Sequence, residues 1–286
     1  MKVLFVTSEI YPLIKTGGLA DVCGALPPAL AEHGIEVRCL VPGYPVVLRG
    51  LHDARALGEL RDLFGGAGQL IEGVLENRTT VLAIDVPHLF NRPGNPYLGP
   101  DRLDWPDNDL RFAALGWVGA SLGRGDFGAW PADVVHAHDW QAALAPAYLA
   151  LQGGRRPASV ITIHNIAYQG LFPAERLELL RLSLESFGVE GVEYYGRIGF
   201  LKAGLYYADR ITTVSPTYAR EIQAPEQGCG LEGLLARRSA DLVGILNGID
   251  DALWDPATDR HLVAAYGPDD RAGKATNKAA LQERYG

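Results

Sequence analysis

Polar residues able to do chemistry stand in four short stretches, each directly after an apolar run. They are Ser8-Glu9 leading into Lys15, Gly17, Gly18 and Asp21; His136, His138 and Asp139; His164-Asn165; and Asn247 to Asp250. In the first, LIKTGGLADV (residues 13–22), a lysine precedes a glycine pair that opens a helical pattern. This is neither the G-x-G-x-x-G dinucleotide turn nor a P-loop, whose lysine follows its glycines. Gly17 and Gly18 let backbone come close to a ligand, and the helix start offers unpaired N–H groups with partial positive charge. Lys15 adds a mobile ammonium, so the stretch suits a phosphate or diphosphate. The competing account is a flexible turn whose glycines serve geometry alone. Asp21, on the first helical turn, could accept from sugar hydroxyls or complement the helix dipole.

His136 and His138 lie two apart on a strand and therefore face one side, as metal ligands can. His164 and Asp139 are the available further ligands, but Trp140 follows and no other His or Cys stands near. A core histidine at 136 satisfied by its neighbours is the favoured reading over a metal-dependent hydrolase. His164 ends an apolar strand, where its side chain reaches the rim. The cysteines, Cys23, Cys39 and Cys229, form neither a C-x-x-C nor an even framework, which disfavours disulfides and thiolate zinc. Cys23 reads as a small buried side chain rather than a nucleophile.

The elements that must hold these residues alternate in type, β-branched strands with helical segments, which predicts an α/β fold, a Rossmann-like doubly wound parallel sheet. Strands are expected at 2–7, 37–42, 133–138, 158–164, 210–215 and 242–248, with a hairpin over 68–87 turning at Glu76-Asn77. Helices are expected at 19–33, ended by Gly34; from Asp107 as cap to about 122; at 140–152; at 174–186; at 194–209; after Ser215-Pro216; and from about Lys274. In such a sheet ligands sit beyond the carboxyl ends of the strands, so all four polar stretches share one rim. Residues 91–106 form a long Pro/Gly loop, and loops of that length are often functional.

The 286 residues carry a formal charge of -8, which disfavours a nucleic-acid partner because that role needs a basic face. No apolar run reaches the ~18 residues of a membrane span, and no signal peptide is evident, so a cytoplasmic location is expected. The helical pattern at the end stops at Gly286 in mid-course, as a cut chain would.

SEIYPLIKTGGLADV, DVVHAHDWQ, TIHNIAYQG, FLKAGLYYADRITTVSPTYAREI and LNGIDDALWDP resemble, in order and spacing, the amino-terminal half of bacterial glycogen synthases and plant starch synthases. The resemblance covers essentially the whole chain. It implies a GT-B enzyme with two Rossmann-like domains facing across a cleft. Such an enzyme transfers glucose from ADP-glucose, with retention, to the non-reducing end of an α-1,4-glucan such as glycogen, without a metal or other cofactor. Residues 1–248 are then the acceptor-side domain, and 249–286 a linker and the start of a nucleotide-binding domain otherwise missing. The missing domain would carry the basic residues for the distal phosphate and the acidic loop for the sugar, and the chain alone would be an inactive, glucan-binding half. Carried over by position, Lys15 contacts the donor diphosphate with Gly17 and Gly18 amides beside it. Asp21, His164 and Asn247 lie around the transferred glucose, while Tyr97, Asp139 and Trp140 belong to the acceptor side. Gln141 departs from the histidine common at that position and puts acceptor contacts there in doubt. Base recognition would fall mostly in the missing half, and the family favours ADP over UDP.

Overall fold

The computed structural model describes residues 1–128, 130–251 and 254–286. Ala252 and Leu253, within the LNGIDDALWDP stretch, lie outside the described residues. The chain divides into two compact units, Met1–Leu246 and Asn247–Gly286.

In the first unit the strands are β1 (Lys2–Val6), β2 (Glu36–Pro42), β3 (His52–Leu60), β4 (Gly68–Val74), β5 (Thr80–Asp85) and β6 (Val134–His138). They continue with β7 (Ala158–Ile163), β8 (Leu171–Pro173), β9 (Glu193–Tyr194), β10 (Arg197–Gly199), β11 (Arg210–Thr213) and β12 (Leu242–Gly244). The helices are α1 (Gly18–Glu32), α2 (Pro45–Gly50), α3 (Pro87–Phe90), α4 (Asn108–Arg124), α5 (Asp139–Ala142), α6 (Leu144–Leu151), α7 (Phe200–Tyr207), α8 (Pro216–Glu221) and α9 (Glu232–Arg237). Nine strands form one sheet in the order β12-β11-β7-β6-β1-β2-β5-β4-β3. Pairing is parallel from β12 through β5, and antiparallel where β4 meets β5 and β3. Strands buried on both faces read as continuous apolar runs. Accordingly Leu4, Phe5 and Val6 of β1, Leu40 and Val41 of β2, and Leu82 and Ile84 of β5 are buried. The order reverses at β1, which pairs with β2 on one side and β6 on the other, and this is where open α/β sheets place ligands.

The doubly wound sheet and the 68–85 hairpin stand as expected, and four readings need correction. Residues 174–186 are not a helix: only short 3₁₀ turns occur at Ala174–Arg176 and Leu184–Ser186. Arg181 between them has φ of 56°, which a right-handed helix cannot contain. Residues 194–199 are not helical either, because Tyr195 and Gly196 take φ of 46° and 79° and turn the chain between β9 and β10. The expected helix at 140–152 is broken into α5 and α6. Asp107 precedes α4 but makes no side-chain cap; its carboxylate instead binds Arg92 through two bonds of 2.7 Å. Ser215 does cap α8, its Oγ accepting from the Tyr218 N–H at 2.9 Å.

The second unit holds α10 (Ala272–Tyr285), whose Asn277 side chain exchanges two hydrogen bonds with the backbone of Ala264. Among the described residues no helix is long and apolar enough to cross a membrane.

Candidate active site

Three neighbouring strands, β1, β6 and β7, deliver the site at their carboxyl ends. After β1 the chain folds back on itself through reciprocal Ile10–Ile14 backbone hydrogen bonds of 3.1 and 2.9 Å, then enters α1 at Gly18. Gly24 is required for this turn to lie against α1, since a Cβ there would stand 2.6 Å from the Tyr11 carbonyl oxygen. At Gly17 and Gly18 an added Cβ would meet nothing within 4 Å, so these glycines border open space rather than packed protein. Lys15 Nζ lies 2.7 Å from both carboxylate oxygens of Asp21, and each side chain is about half-exposed.

Behind this turn stands Glu9, 2% exposed and without a cationic partner among the described residues. Its carboxylate accepts from the Thr16 N–H, from Thr16 Oγ1 at 2.6 Å, and from the Tyr97 hydroxyl. Ser8 Oγ lies 2.8 Å from that same hydroxyl. Glu9 therefore ties the lysine–glycine turn to the long 91–106 loop. Sequence reasoning collected Glu9 as a rim residue but gave it no role; an acidic residue three positions after the apolar run Val3–Val6 was the available signal.

Asp139 follows β6 with φ of 56°, a left-handed conformation that aspartate tolerates better than most residues. This turns its carboxylate toward β7, where Oδ1 accepts from the backbone N–H of His164 at 2.7 Å and of Asn165 at 3.4 Å. Burial pushes the Asp139 carboxyl up to about 7 against the pull of those two amides, and the neighbouring Glu9 adds to the rise.

His164 Nε2 and His138 Nδ1 are 3.1 Å apart, and His138 in turn stacks on His136 with centroids 4.3 Å apart. His136 is held by Thr162 Oγ1 at 2.6 Å, which meets Thr212 Oγ1 at 2.6 Å. Burial lowers His136 to about 3 and His164 to about 4, and drives His138 well below the ordinary imidazole range. The rings are thus neutral at physiological pH, and His136, half-buried, has Nε2 held by Thr162. Among the described residues no group of three or more His, Cys, Asp or Glu is disposed to hold a metal ion. Cys23 is fully buried, its Sγ 3.3 Å from Thr7 Oγ1, and burial raises its thiol to about 12, which removes it as a nucleophile.

Trp140 sits in an aromatic cluster, 4.9 Å from Phe112, 6.0 Å from Phe172 and 6.5 Å from Tyr97 between ring centroids. Gly170, with φ of 61°, makes room for it: a Cβ there would lie 2.2 Å from the indole. The structure therefore gathers Lys15, Gly17, Gly18, Asp21, Tyr97, Asp139, Trp140 and His164 within the first unit, joined by Glu9 and the histidine row. Tyr97 is placed there with its hydroxyl already engaged and its ring half-buried. Asn247 is an exposed residue at the start of the second unit.

The sequence matches the family described as starch synthase catalytic domain over residues 2–237. Among curated relatives, the glycogen synthase of Rhodopseudomonas palustris (strain HaA2) is 56% identical over 283 residues, covering 99% of this chain and 58% of the relative. Glycogen synthase 2 of Bradyrhizobium diazoefficiens is 55% identical over 284 residues, covering 99% and 59%. Among solved structures, the catalytic domain of starch synthase IV from Arabidopsis thaliana, bound to ADP and acarbose, superposes with a TM-score of 0.82 at 31% identity. That alignment covers 99% of this chain and 59% of the other. The chain thus spans about three fifths of the length of the curated relatives it matches.

Proposed function

The chain belongs to the starch synthase catalytic domain family, and from that premise we propose that its protein transfers glucose from ADP-glucose to the non-reducing end of an α-1,4-glucan, with retention. The observation that carries this reading is the meeting, at the carboxyl ends of three adjacent strands, of a lysine–glycine turn, a buried carboxylate and a neutral histidine. In this reading 1–248 is the acceptor-side domain of a GT-B enzyme and 249–286 leads into a nucleotide-binding domain.

Breaking the glucosyl–phosphate bond leaves growing negative charge on ADP, which fixed donors must disperse. Lys15 supplies an ammonium, and the amides of Gly17 and Gly18 at the start of α1 supply N–H groups in open space. His164 and Asp21 border the transferred glucose. A neutral His164 suits a hydroxyl, since one ring nitrogen donates and the other accepts. Asp139 fixes the backbone of His164 and Asn165 and presents a carboxyl toward the acceptor. Trp140 and Tyr97 form the acceptor's aromatic wall. The transfer requires no metal, the partners are ADP-glucose and glucan, and the setting is the cytoplasm.

Glucose transfer to glycogen from radiolabelled ADP-glucose, in the full-length protein carrying this sequence, tests the reading. Lys15→Ala should raise the donor KM and cut turnover roughly a hundredfold, as loss of one oxyanion donor does; unchanged kinetics would reject the role. EDTA should leave the rate unchanged, and loss of transfer on chelation would reject the metal-free reading. The 286-residue chain assayed alone should bind glucan without turnover.

A further inference from the structure

A cleft of about 350 Å³ opens between α2 and the segment that follows α3, within the ~300–1,000 Å³ range of small-molecule pockets. Its walls hold three guanidiniums, Arg49, Arg92 and Arg111, and no carboxylate among the described residues. Among the described residues only Arg92 of the three makes an ion pair, with Asp107. Arg111 is 1% exposed, and its hydrogen bonds go to neutral oxygens: the Leu89 and Pro96 carbonyls and Asn108 Oδ1. These bonds use Nε and Nη1, while Nη2 has no partner among the described residues. Arg111 makes no ion pair of its own: Asp107, the acid that acts on it, is bound to Arg92, and the Arg111 guanidinium lies over the Phe90 and Phe112 rings at 5.6 and 5.5 Å. Burying a charge this way is expensive, and in a chain of formal charge -8 such a concentration of cations needs a cause. A second anomaly adjoins it. Tyr44, also on the wall and 5% exposed, buries its hydroxyl with no hydrogen-bond partner. An orphaned buried hydroxyl in a folded protein points to a missing partner.

We propose that this cleft is a second ligand site, built for a small phosphate monoester carrying a short polyol or sugar. Three cations against the single Asp107 leave two positive charges, which a phosphate monoester of nearly two negative charges matches. Guanidiniums bind phosphate oxygens through paired N–H donors, and Arg111 Nη2, Arg49 and the Tyr44 hydroxyl have donors to give. Asn91 and Asn95 offer amides to hydroxyls, and Phe90 and Pro96 an apolar wall. Ile14 and Pro96, both on the wall, are the chain neighbours of Lys15 and Tyr97, so an occupant bears on both segments of the site already described.

Titration calorimetry of the 286-residue chain at low ionic strength tests this, with fructose 6-phosphate and glycerol 3-phosphate as probes and orthophosphate and fructose as controls. A phosphate ester should bind at one site, more tightly than orthophosphate, and fructose should give no heat. Arg49→Ala, a surface change that leaves the fold intact, and Tyr44→Phe should each weaken binding roughly tenfold or more, the loss of one charge-assisted contact. Lys15→Ala should leave it unchanged. The proposal is overturned if neither ester binds, if orthophosphate matches the esters and Arg49→Ala has no effect, or if Lys15→Ala alone abolishes binding.

Discussion

Acid should unfold the first unit through its own histidines. Burial, with the neighbouring rings adding to it, holds His136 to about 3 and His138 well below 6.5, and burial alone holds His164 to about 4. In the unfolded chain each ring takes up a proton near pH ~6.5. A base whose folded pKa is depressed contributes stability that is fully present above its unfolded pKa and is lost as pH falls toward the folded one. Asp139 works the other way. Its carboxyl stands at about 7 in the fold against 3.8 unfolded, so between those values the folded protein holds a proton that the unfolded chain has released. Its contribution is full at low pH and fades as pH rises through the folded value. Between pH ~4 and ~6.5 the three histidines therefore gain protons on unfolding while Asp139 loses one, a net uptake of two. One proton corresponds to a slope of ~1.4 kcal/mol per pH unit, so these four groups should make stability rise by ~3 kcal/mol per unit across that window. Urea unfolding followed by tryptophan fluorescence at stepped pH measures the slope. His136→Asn deletes one titrating ring and should lower it by ~1.4 kcal/mol per unit. Identical slopes in the two proteins would refute the assignment, as would stability that falls on going from pH ~4 to ~6.5.

Replacing Gly170 by alanine should cost several kcal/mol, on the order of 3, because the methyl would strike the Trp140 ring at a left-handed residue; thermal unfolding and a changed tryptophan emission would record it. Ser215→Ala removes the α8 cap and should lower stability by ~1 kcal/mol in urea titration. Glu9→Gln keeps the shape but turns one acceptor into a donor facing Thr16 or Tyr97, at a cost of ~1.5–3 kcal/mol. Its clearest sign should be faster proteolysis within residues 91–106, and an unaltered cleavage pattern would show that the carboxylate does not tether that loop.

The parallel strands along the chain and the polar stretches after β1, β6 and β7 were legible because apolar runs and the polar residues after them are local signals. What escaped was set by conformations or contacts that pattern does not encode. Leu177, Leu180 and Leu182 gave residues 174–186 a helical look and are buried, but the left-handed Arg181 divides them. The Tyr195-Gly196 pair is a hairpin turn, concealed by the aromatic period of the helix that follows at Phe200. Strand β3 went unread because it lies at the sheet edge with its side chains mostly exposed, so no alternation marks it. At the site, Lys15 and His164 were readable from type and position. The role of Glu9 depends on Thr16 and on Tyr97, 88 residues away in sequence, and only the folded chain brings these together.

An anion reaching the first crossover meets an ammonium already occupied by Asp21. Its arrival is an exchange of partners, and since the half-exposed pair is worth only ~0–1 kcal/mol, a multiply charged phosphate displaces the carboxylate where a halide would not. A phosphate that fills the turn therefore also frees the Asp21 carboxylate, so one ion pair couples the two groups.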